Sequence, residues 1–260
     1  MKITTYNVNR GTNAKGEPTL KNLKEYILSS KADIVALQLA PQDFVDDLAR
    51  SLGSWQSVFG LVPDTTYGNA IVTRFEIESQ GIYDLPTVAP LEGRNLLKVQ
   101  LKTGSGYSTP LVVVVTHLEN TSEDVRMEQL KFVLDQVEED GRAHILCGDF
   151  NALTISDYSQ STWQRFVSFA TERKWEPRQE RVTRLLAENG YIDAFKSVGD
   201  GDPFTFHLAP LQMDLRIDYI FLSKQFGWEL EHIKHAHKFY GAVVAGPLAA
   251  CSISSRIWIV

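Results

Sequence analysis

The amino-acid sequence predicts an α/β fold, and three observations lead to this prediction. Short β-rich runs recur along the chain with helical segments between them. Two runs, VVVVTHL and HILCGDF, are apolar until their last residues, where polar groups follow. In α/β sheets, the carboxyl ends of buried strands are where catalytic and binding side chains are found. The length of 260 residues suits one large layered core. We therefore expect residues 1–260 to form a single domain.

The predicted strands are short runs rich in β-branched and aromatic residues. In chain order they read MKITTYNV, DIVALQL, NAIVTRF, LLKVQLK, PLVVVVTHL, AHILCGDF, RIDYIFLS and CSISSRIWIV. The loop GSGYST at 104–109 predicts a hairpin turn between two of them.

Two segments have the apolar spacing of helices that pack on a sheet. The first covers 19–30, with Thr19 as its N-cap. The second covers 122–139, with Ser122 as its N-cap and an apolar stripe on one face. Both predict helices that lie against the strands.

A third helical stretch runs from about 162 to 189 and is broken near Pro177. It carries six Arg and Lys residues interspersed with Glu172, Glu176 and Glu180. Its pattern favours a solvated face with charge pairs one turn apart over a nucleic-acid patch.

Composition and charge exclude several classes of protein. Apolar residues at 43% and charged residues at 22% are ordinary for a globular protein. A net charge of -6 argues against bulk electrostatic binding of nucleic acid. No run approaches the 18 apolar residues of a membrane span, and the first residues have no apolar signal region. The two cysteines, Cys147 and Cys251, are too few for a disulfide framework. We expect an intracellular protein, in the cytoplasm, with no membrane association.

The motif GDFN, at residues 148–151, follows a predicted buried strand and places a carboxylate and a carboxamide two residues apart. Phosphoester hydrolysis needs an activated water and charge neutralisation on the transferring oxygens. Asp149 and Asn151 are suited to parts of both tasks.

Four further motifs accompany GDFN in a fixed order: YNV at the end of the first strand, GNAIVTR, THL and RIDYIFLS. With these motifs the sequence resembles the DNase I-like endonuclease/exonuclease/phosphatase superfamily, from residue 1 to about 223. The resemblance implies a four-layer α/β/β/α sandwich of two mixed sheets flanked by helices. It also implies cleavage of phosphoesters with a divalent metal, Mg²⁺ or Mn²⁺. Fold does not determine substrate in so broad a family.

The resemblance implies roles for five residues. Asn7 corresponds to the asparagine near the metal and the phosphate, and His117 to the histidine that contacts the phosphate. Asp149 resembles the residue that orients or deprotonates water and lies at the metal, and Asn151 the neighbour that holds the phosphate. Asp218 resembles the carboxylate that orients a later catalytic histidine.

Each of these residues also has an ordinary structural explanation. Asn7 could cap a turn, His117 could be a hydrogen-bonded core histidine, and Asp218 could bind Arg216 or a backbone amide.

The sequence departs from the family pattern at two places. The second strand of the family ends in Leu-Gln-Glu, whose glutamate holds the metal, whereas Leu39 stands there in DIVALQLA. The family ends in Ser-Asp-His followed by proline, whereas residues 244–246 read VAG before Pro247. Residues 239–260 contain no Asp, Glu or His. Asp43, past Pro41, is too displaced to replace the glutamate.

These observations lead to three hypotheses. The first is a catalytically impaired family member that binds a phosphate-bearing ligand through Asn7, His117, Asp149 and Asn151, with no metal required. The second is an active metal-dependent phosphodiesterase, nuclease or phosphatase in which Asp149 and Asp218 hold the metal. The third is an interaction protein that uses the charged 162–189 segment. The acidic balance favours a small phosphorylated substrate over long DNA.

Overall fold

Two mixed β-sheets packed face to face form the centre of the computed structural model. It describes residues 1–13, 15–89, 91–103, 110–138, 141–173, 176, 180–199, 201–225, 230–236, 248–253 and 257–258. Helices cover the outer face of each sheet, which confirms the predicted four-layer α/β/β/α arrangement.

The first sheet contains seven strands within the described residues, in the order β13-β15-β14-β1-β2-β4-β3. Strands β1 and β2 run parallel, and the other neighbours of these two strands, β14 and β4, pair with them antiparallel. The bounds are β1 (Lys2–Asn7), β2 (Ile34–Pro41), β3 (Gln56–Leu61), β4 (Tyr67–Thr73), β13 (Leu230–Ala236), β14 (Leu248–Ile253) and β15 (Ile257–Trp258).

The second sheet contains six strands in the part of the chain that the structure describes, in the order β5-β6-β7-β8-β12-β9. Its central pair β7 and β8 is parallel, and β12 runs antiparallel to β8. The bounds are β5 (Glu76–Asp84), β6 (Asn95–Lys102), β7 (Leu111–His117), β8 (His144–Asp149), β9 (Ile192–Asp193) and β12 (Asp218–Leu222).

The main core lies between the two sheets and follows from the two-residue period of a strand. In β2, Ile34 and Ala36 face the second sheet, while the alternate residues Val35 and Leu37 face outward. The second sheet shows the same alternation. Strands buried on both faces carry continuous apolar runs, which is why these segments read as apolar throughout.

The helices bury the outer faces of the sheets. α1 (Leu20–Ser30) and α2 (Gln42–Ser51) pack on the first sheet. α3 (Glu123–Glu138) and α5 (Arg181–Glu188) pack on the second sheet. A short helix, α6 (Ala194–Val198), follows β9.

A smaller layer stands beside the sandwich and was not predicted. α4 (Gln160–Glu172) packs against a two-stranded hairpin of β10 (Phe206–Leu208) and β11 (Met213–Leu215). Together they enclose a separate apolar cluster. The strands of the hairpin are three residues each, too short for sequence periodicity to indicate them.

Several predictions about local structure are confirmed and others are wrong. The charged 162–189 stretch is two helices, α4 and α5, as the break predicts, although Pro177 itself lies outside the described residues. Ser122 Oγ accepts a hydrogen bond from Val125 N at 3.4 Å, consistent with a cap. Thr19 occupies the N-cap position of α1, but its side chain caps no backbone amide. The loop 104–109 also lies outside the described residues.

Most of the stretch EHIKHAHK, at residues 231–238, belongs to a strand that the sequence did not indicate. Residues 230–236 form strand β13, which pairs with β14 and β15. Alternating polar and apolar residues suit a strand with one covered face, and Ile233 is buried in the core between the sheets. Among the described residues, no helix is both long and apolar enough to cross a membrane.

Candidate functional site

The sandwich brings the five predicted site residues to one end of the sheets. Asn7 ends β1, His117 ends β7 and Asp149 ends β8, so three strand ends deliver polar side chains to the same edge. Asp218 begins the antiparallel strand β12 and lies directly opposite Asp149 in the ladder. With Asn151 just beyond β8, all five line one cavity of about 500 Å³.

The turn after β8 holds the carboxylate of Asp149 at the edge. One oxygen, Oδ1, accepts from the backbone N of Asn151 at 3.0 Å. The other, Oδ2, accepts from Asn7 Nδ2 at 3.1 Å. Gly148 precedes it with φ of 137°, where a Cβ would lie 1.9 Å from the carbonyl oxygen of Thr116. The glycine of GDFN is therefore required by the close approach of β7.

His117 is held as a neutral imidazole. Asn151 Nδ2 donates to the carbonyl oxygen of Leu118 at 3.0 Å and also lies 3.1 Å from His117 Nε2. Because the amide group of Asn151 must point its nitrogen at the carbonyl, Nε2 is an acceptor and the proton lies on Nδ1. Burial lowers the pKa of His117 to about 4, and the charge of Asp149 opposes that shift only in part.

The proton on His117 Nδ1 has no acceptor among the described residues, although the atom is buried. A buried donor without a partner carries a desolvation cost. The alternative explanation, a histidine satisfied by the core, is therefore incomplete.

Asp218 is a buried carboxyl group next to a second one. Burial raises the pKa of Asp218 well above its usual range, the negative charge of Asp149 raises it further, and a hydrogen bond from Thr205 opposes the shift. Asp218 does not pair with Arg216, so that alternative is wrong. The guanidinium of Arg216 instead contacts Asp157 and Asp193.

Leu39 lines the cavity at the end of β2. The pairing of β2 with β4 is irregular between Leu37 and Ala40, and Leu39 has φ of 51°, in the left-handed region. An aliphatic residue in this conformation is uncommon and strained. The irregularity turns an alkyl side chain, which cannot ligate a cation, toward the polar edge.

The described residues do not fit a tightly held divalent metal. They contain no cluster of three or more His, Cys, Asp or Glu side chains with the geometry of a metal site. At the edge, Asp149 and Asp218 are the adjacent carboxyl groups, and both oxygens of Asp149 already accept hydrogen bonds. Asp43 accepts from the backbone N of Phe44 and does not line the cavity.

Two functional candidates, Arg94 and Glu92, were missed from the sequence. Arg94 is 4% exposed and lines the cavity, and its Nη1 donates to Glu92 Oε2 at 2.8 Å and to the carbonyl oxygen of Gly93 at 3.0 Å. Its Nε is buried and contacts no acceptor in the described part of the chain. The only signal in the sequence is EGR just before a predicted strand, which by itself reads as an ordinary loop.

Glu92 also connects Arg94 to Tyr67 and Arg10. The hydroxyl of Tyr67 donates to Glu92 Oε1, and Arg10 Nη2 lies 3.3 Å from that hydroxyl and 3.5 Å from the carboxylate. The guanidinium of Arg10 stacks on the ring of Tyr67 at 4.6 Å. This network fixes the carboxylate that positions Arg94.

Residues 244–246, where the sequence lacks an Asp-His pair, lie outside the described residues. The strand that follows them, β14, pairs antiparallel with β1, and Ala249 lies opposite Thr5. The chain therefore enters this strand from the end of β1 that carries Asn7.

Comparison with known proteins agrees with this fold. The family model described as the endonuclease/exonuclease/phosphatase family matches residues 4–231. A search of curated proteins by sequence found no match.

Solved structures of the same architecture superpose on nearly the whole chain. A mannosyl-6-phosphatase from Bacteroides thetaiotaomicron has a TM-score of 0.72 and 17% identity, with 98% of this chain and 99% of that chain covered. D. rerio TDP2 complexed with single strand DNA product has a TM-score of 0.70 and 19% identity, with 98% of each chain covered. A conserved Enterococcus faecalis protein described as functionally unknown has a TM-score of 0.73 and 19% identity, with 98% and 99% covered. The chain belongs to the endonuclease/exonuclease/phosphatase family.

Proposed function

We propose that the chain binds a phosphate-bearing ligand in the cavity at the sheet edge and that its metal-dependent hydrolysis is impaired. One observation carries the binding part of the proposal: Arg94 and His117 line this cavity, and each has a buried N–H group, Arg94 Nε and His117 Nδ1, without an acceptor among the described residues. Buried donors are almost always paired. A phosphoryl group supplies several strong acceptor oxygens and a charge that matches the guanidinium.

The carboxamides at the edge complete this donor set. Asn7 Nδ2 and Asn151 Nδ2 lie on the same cavity wall as Asp149, and each already donates to a neighbour. Because an amide nitrogen carries two N–H groups, Asn7 Nδ2 can keep its hydrogen bond to Asp149 and donate the second to a phosphate oxygen. The phosphate is thus held by Arg94, His117, Asn7 and Asn151.

The impairment follows from the residues that the family chemistry requires. The family is generally metal-dependent, and Leu39 stands where its metal-binding glutamate is expected. Residues 244–246 lack the Asp-His pair that would stabilise the transition state. Loss of one such donor costs about 3 to 4 kcal/mol of transition-state stabilisation. Asp149 alone, neither paired with a metal nor assisted by an imidazole acid, supports little hydrolysis.

The first test compares binding with turnover in the same protein. Isothermal titration calorimetry with inorganic phosphate in EDTA should give saturable binding. Hydrolysis of bis(p-nitrophenyl) phosphate with Mg²⁺ or Mn²⁺ should be the same for the wild type and for Asp149→Asn. Turnover at a rate typical of hydrolases that disappears in Asp149→Asn would overturn the impairment, and absence of phosphate binding would overturn the ligand assignment.

A second candidate function is favoured by one specific observation. Asp149 and Asp218 are adjacent buried carboxyl groups, and the pKa of Asp218 is raised by burial and by Asp149. A divalent cation would relieve the repulsion between them, and magnesium is commonly held by one or two carboxylates with waters. On this alternative the chain is an active phosphoesterase with a rearranged metal site.

The substitution Leu39→Glu separates the two candidates. In an impaired site the added carboxylate should raise metal-dependent hydrolysis by roughly tenfold or more, since it supplies a missing oxygen ligand. In a rearranged site the wild type is already active and the substitution brings no gain. Leu39→Gln, of the same shape without the charge, is the matched control.

A further inference from the structure

We infer that the ligand of this cavity carries an apolar, aromatic organic group beside its phosphate, and that α4 and the β10–β11 hairpin form the subsite for it. This inference rests on the proposed function, because the phosphate anchors the ligand at the sheet edge. The polar residues at the sheet edge do not define the substrate class, whereas the apolar subsite does.

The wall of the cavity opposite the sheet edge is apolar. Two of its residues come from α4, two from β10, one from β11 and one from the segment before β12. They are Phe166, Ala170, Phe206, Leu208, Leu215 and Ile217. Leu39 continues the apolar lining up to the phosphate end. The cavity is therefore divided into a polar end and an apolar side.

The hairpin is built with one apolar and one polar face. Phe206 and Leu208 alternate with His207, and the opposite strand alternates in the same way, so that Phe206 lies across from Leu215. On the outer face His207 Nδ1 and Asp214 Oδ1 lie 2.6 Å apart. The polar pair is turned toward solvent while the apolar face meets α4 and the cavity.

The size and chemistry of the cavity limit the occupant. A volume of about 500 Å³ lies in the range of sites for small organic ligands. Apolar walls with a few convergent polar groups at one end are typical of such sites. The carboxylate of Glu176, which also lines the cavity, is engaged by the backbone N of Glu123 at 2.7 Å. The other polar lining residues, Asn9, Asn120 and Thr121, follow β1 and β7, so α4 and the hairpin themselves offer no polar side chain to the hydroxyl groups of a sugar.

A ligand series on the wild type tests the inference directly. Isothermal titration calorimetry in EDTA would compare inorganic phosphate, glucose 6-phosphate and phenyl phosphate. All three present the same phosphate to Arg94 and His117. Phenyl phosphate should bind about tenfold more tightly than the other two, because its ring leaves water for the apolar wall.

A pair of variants localises the effect. Phe206→Ser removes a half-buried ring from the wall and should abolish the preference for phenyl phosphate while inorganic phosphate still binds. Leu211→Ser, in the same apolar cluster but outside the cavity lining, should keep the preference.

Each outcome decides between the two proposals. Equal binding of the three ligands would overturn the apolar subsite and leave phosphate binding standing. Tighter binding of glucose 6-phosphate than of phenyl phosphate would also overturn it. If none of the three binds, the proposed function fails and the subsite fails with it.

Discussion

Two buried arginines, Arg216 and Arg94, differ in how completely the protein satisfies them. The guanidinium of Arg216 donates from Nε to Asp157 at 2.8 Å and from both terminal nitrogens to Asp193 at 3.0 and 2.7 Å. It also lies over the ring of Tyr219 at 4.4 Å. Arg94 contacts Glu92 and a backbone carbonyl through one terminal nitrogen, and its buried Nε has no acceptor among the described residues.

This difference separates a structural charge from a binding charge. Arg216 joins the loop after β8, the end of β9 and the start of β12, and its donors are used by the protein itself. Arg94 lines a cavity, and under the proposed function its unused donor binds the phosphate of the ligand. Burial alone does not identify a functional charge, whereas burial with an unused donor on a cavity wall does.

The largest effect is expected when the satisfied network is broken. Arg216→Met removes the guanidinium from Asp157 and Asp193, whose side chains are only 8% and 15% exposed. The free energy of unfolding should fall by about 3 to 5 kcal/mol in a urea titration, since an uncompensated buried charge remains. Arg184→Met is the control, because Arg184 pairs with Glu188 at 3.9 Å with both side chains 63% exposed. A loss no larger than that of the control would contradict the structural role of Arg216.

The next effect is a pH dependence that comes from His117. Its pKa in the folded protein is about 4, below the ordinary value of 6.5, so the unfolded chain takes up the proton first as pH falls. The contribution of His117 to stability is complete above pH 6.5 and is lost as pH falls toward 4, by roughly 3 kcal/mol in total.

The measurement for His117 is a series of urea titrations in EDTA between pH 4 and 7. Other groups also change protonation as pH falls, so the quantity of interest is the difference between the wild type and His117→Gln. That difference should shrink as pH falls. A difference independent of pH would show that the pKa of His117 is the same in the folded and the unfolded chain, contrary to its burial.

A smaller effect, on binding and not on folding, is expected at Arg94. Arg94→Met removes the guanidinium from the cavity and leaves Glu92, whose side chain is 44% exposed and can be solvated. The affinity for inorganic phosphate should fall about tenfold or more, while the free energy of unfolding changes by less than about 1 kcal/mol. A large loss of stability with unchanged affinity would place Arg94 with Arg216 as a structural charge.

The smallest effect is expected for a charge pair that water already solvates. His207 and Asp214 are 41% and 52% exposed on the outer face of the hairpin. Asp214→Asn should change the free energy of unfolding by less than about 0.5 kcal/mol and leave phosphate binding unchanged. An effect as large as that at Arg94 would mean that the outer face of the hairpin contacts the ligand, contrary to the proposed subsite.

The sequence predicted most strands and helices well because strand alternation and helix spacing are local properties, and the resemblance to the family supplied their four-layer arrangement. Runs such as VVVVTHL and HILCGDF indicated strands whose ends carry side chains for chemistry, and β7 and β8 deliver His117 and Asp149 there. The hairpin of β10 and β11 escaped prediction because three-residue strands carry too little periodicity. Strand β13, which overlaps EHIKHAHK, also escaped prediction because its position is defined by pairing with β14 and β15.

The sequence by itself determined the fold class, the family and the five polar residues at the edge. Short motifs of neighbouring residues, such as YNV, THL and GDFN, were enough to recognise them. Tertiary structure alone decided that Arg94, far from GDFN in the chain, reaches the same cavity. It also decided that Arg216 pairs with Asp157 and Asp193, not with Asp218, and that α4 and the hairpin supply an apolar wall. These facts depend on side chains brought together over long separations, where burial and the number of available partners determine which donors remain unused.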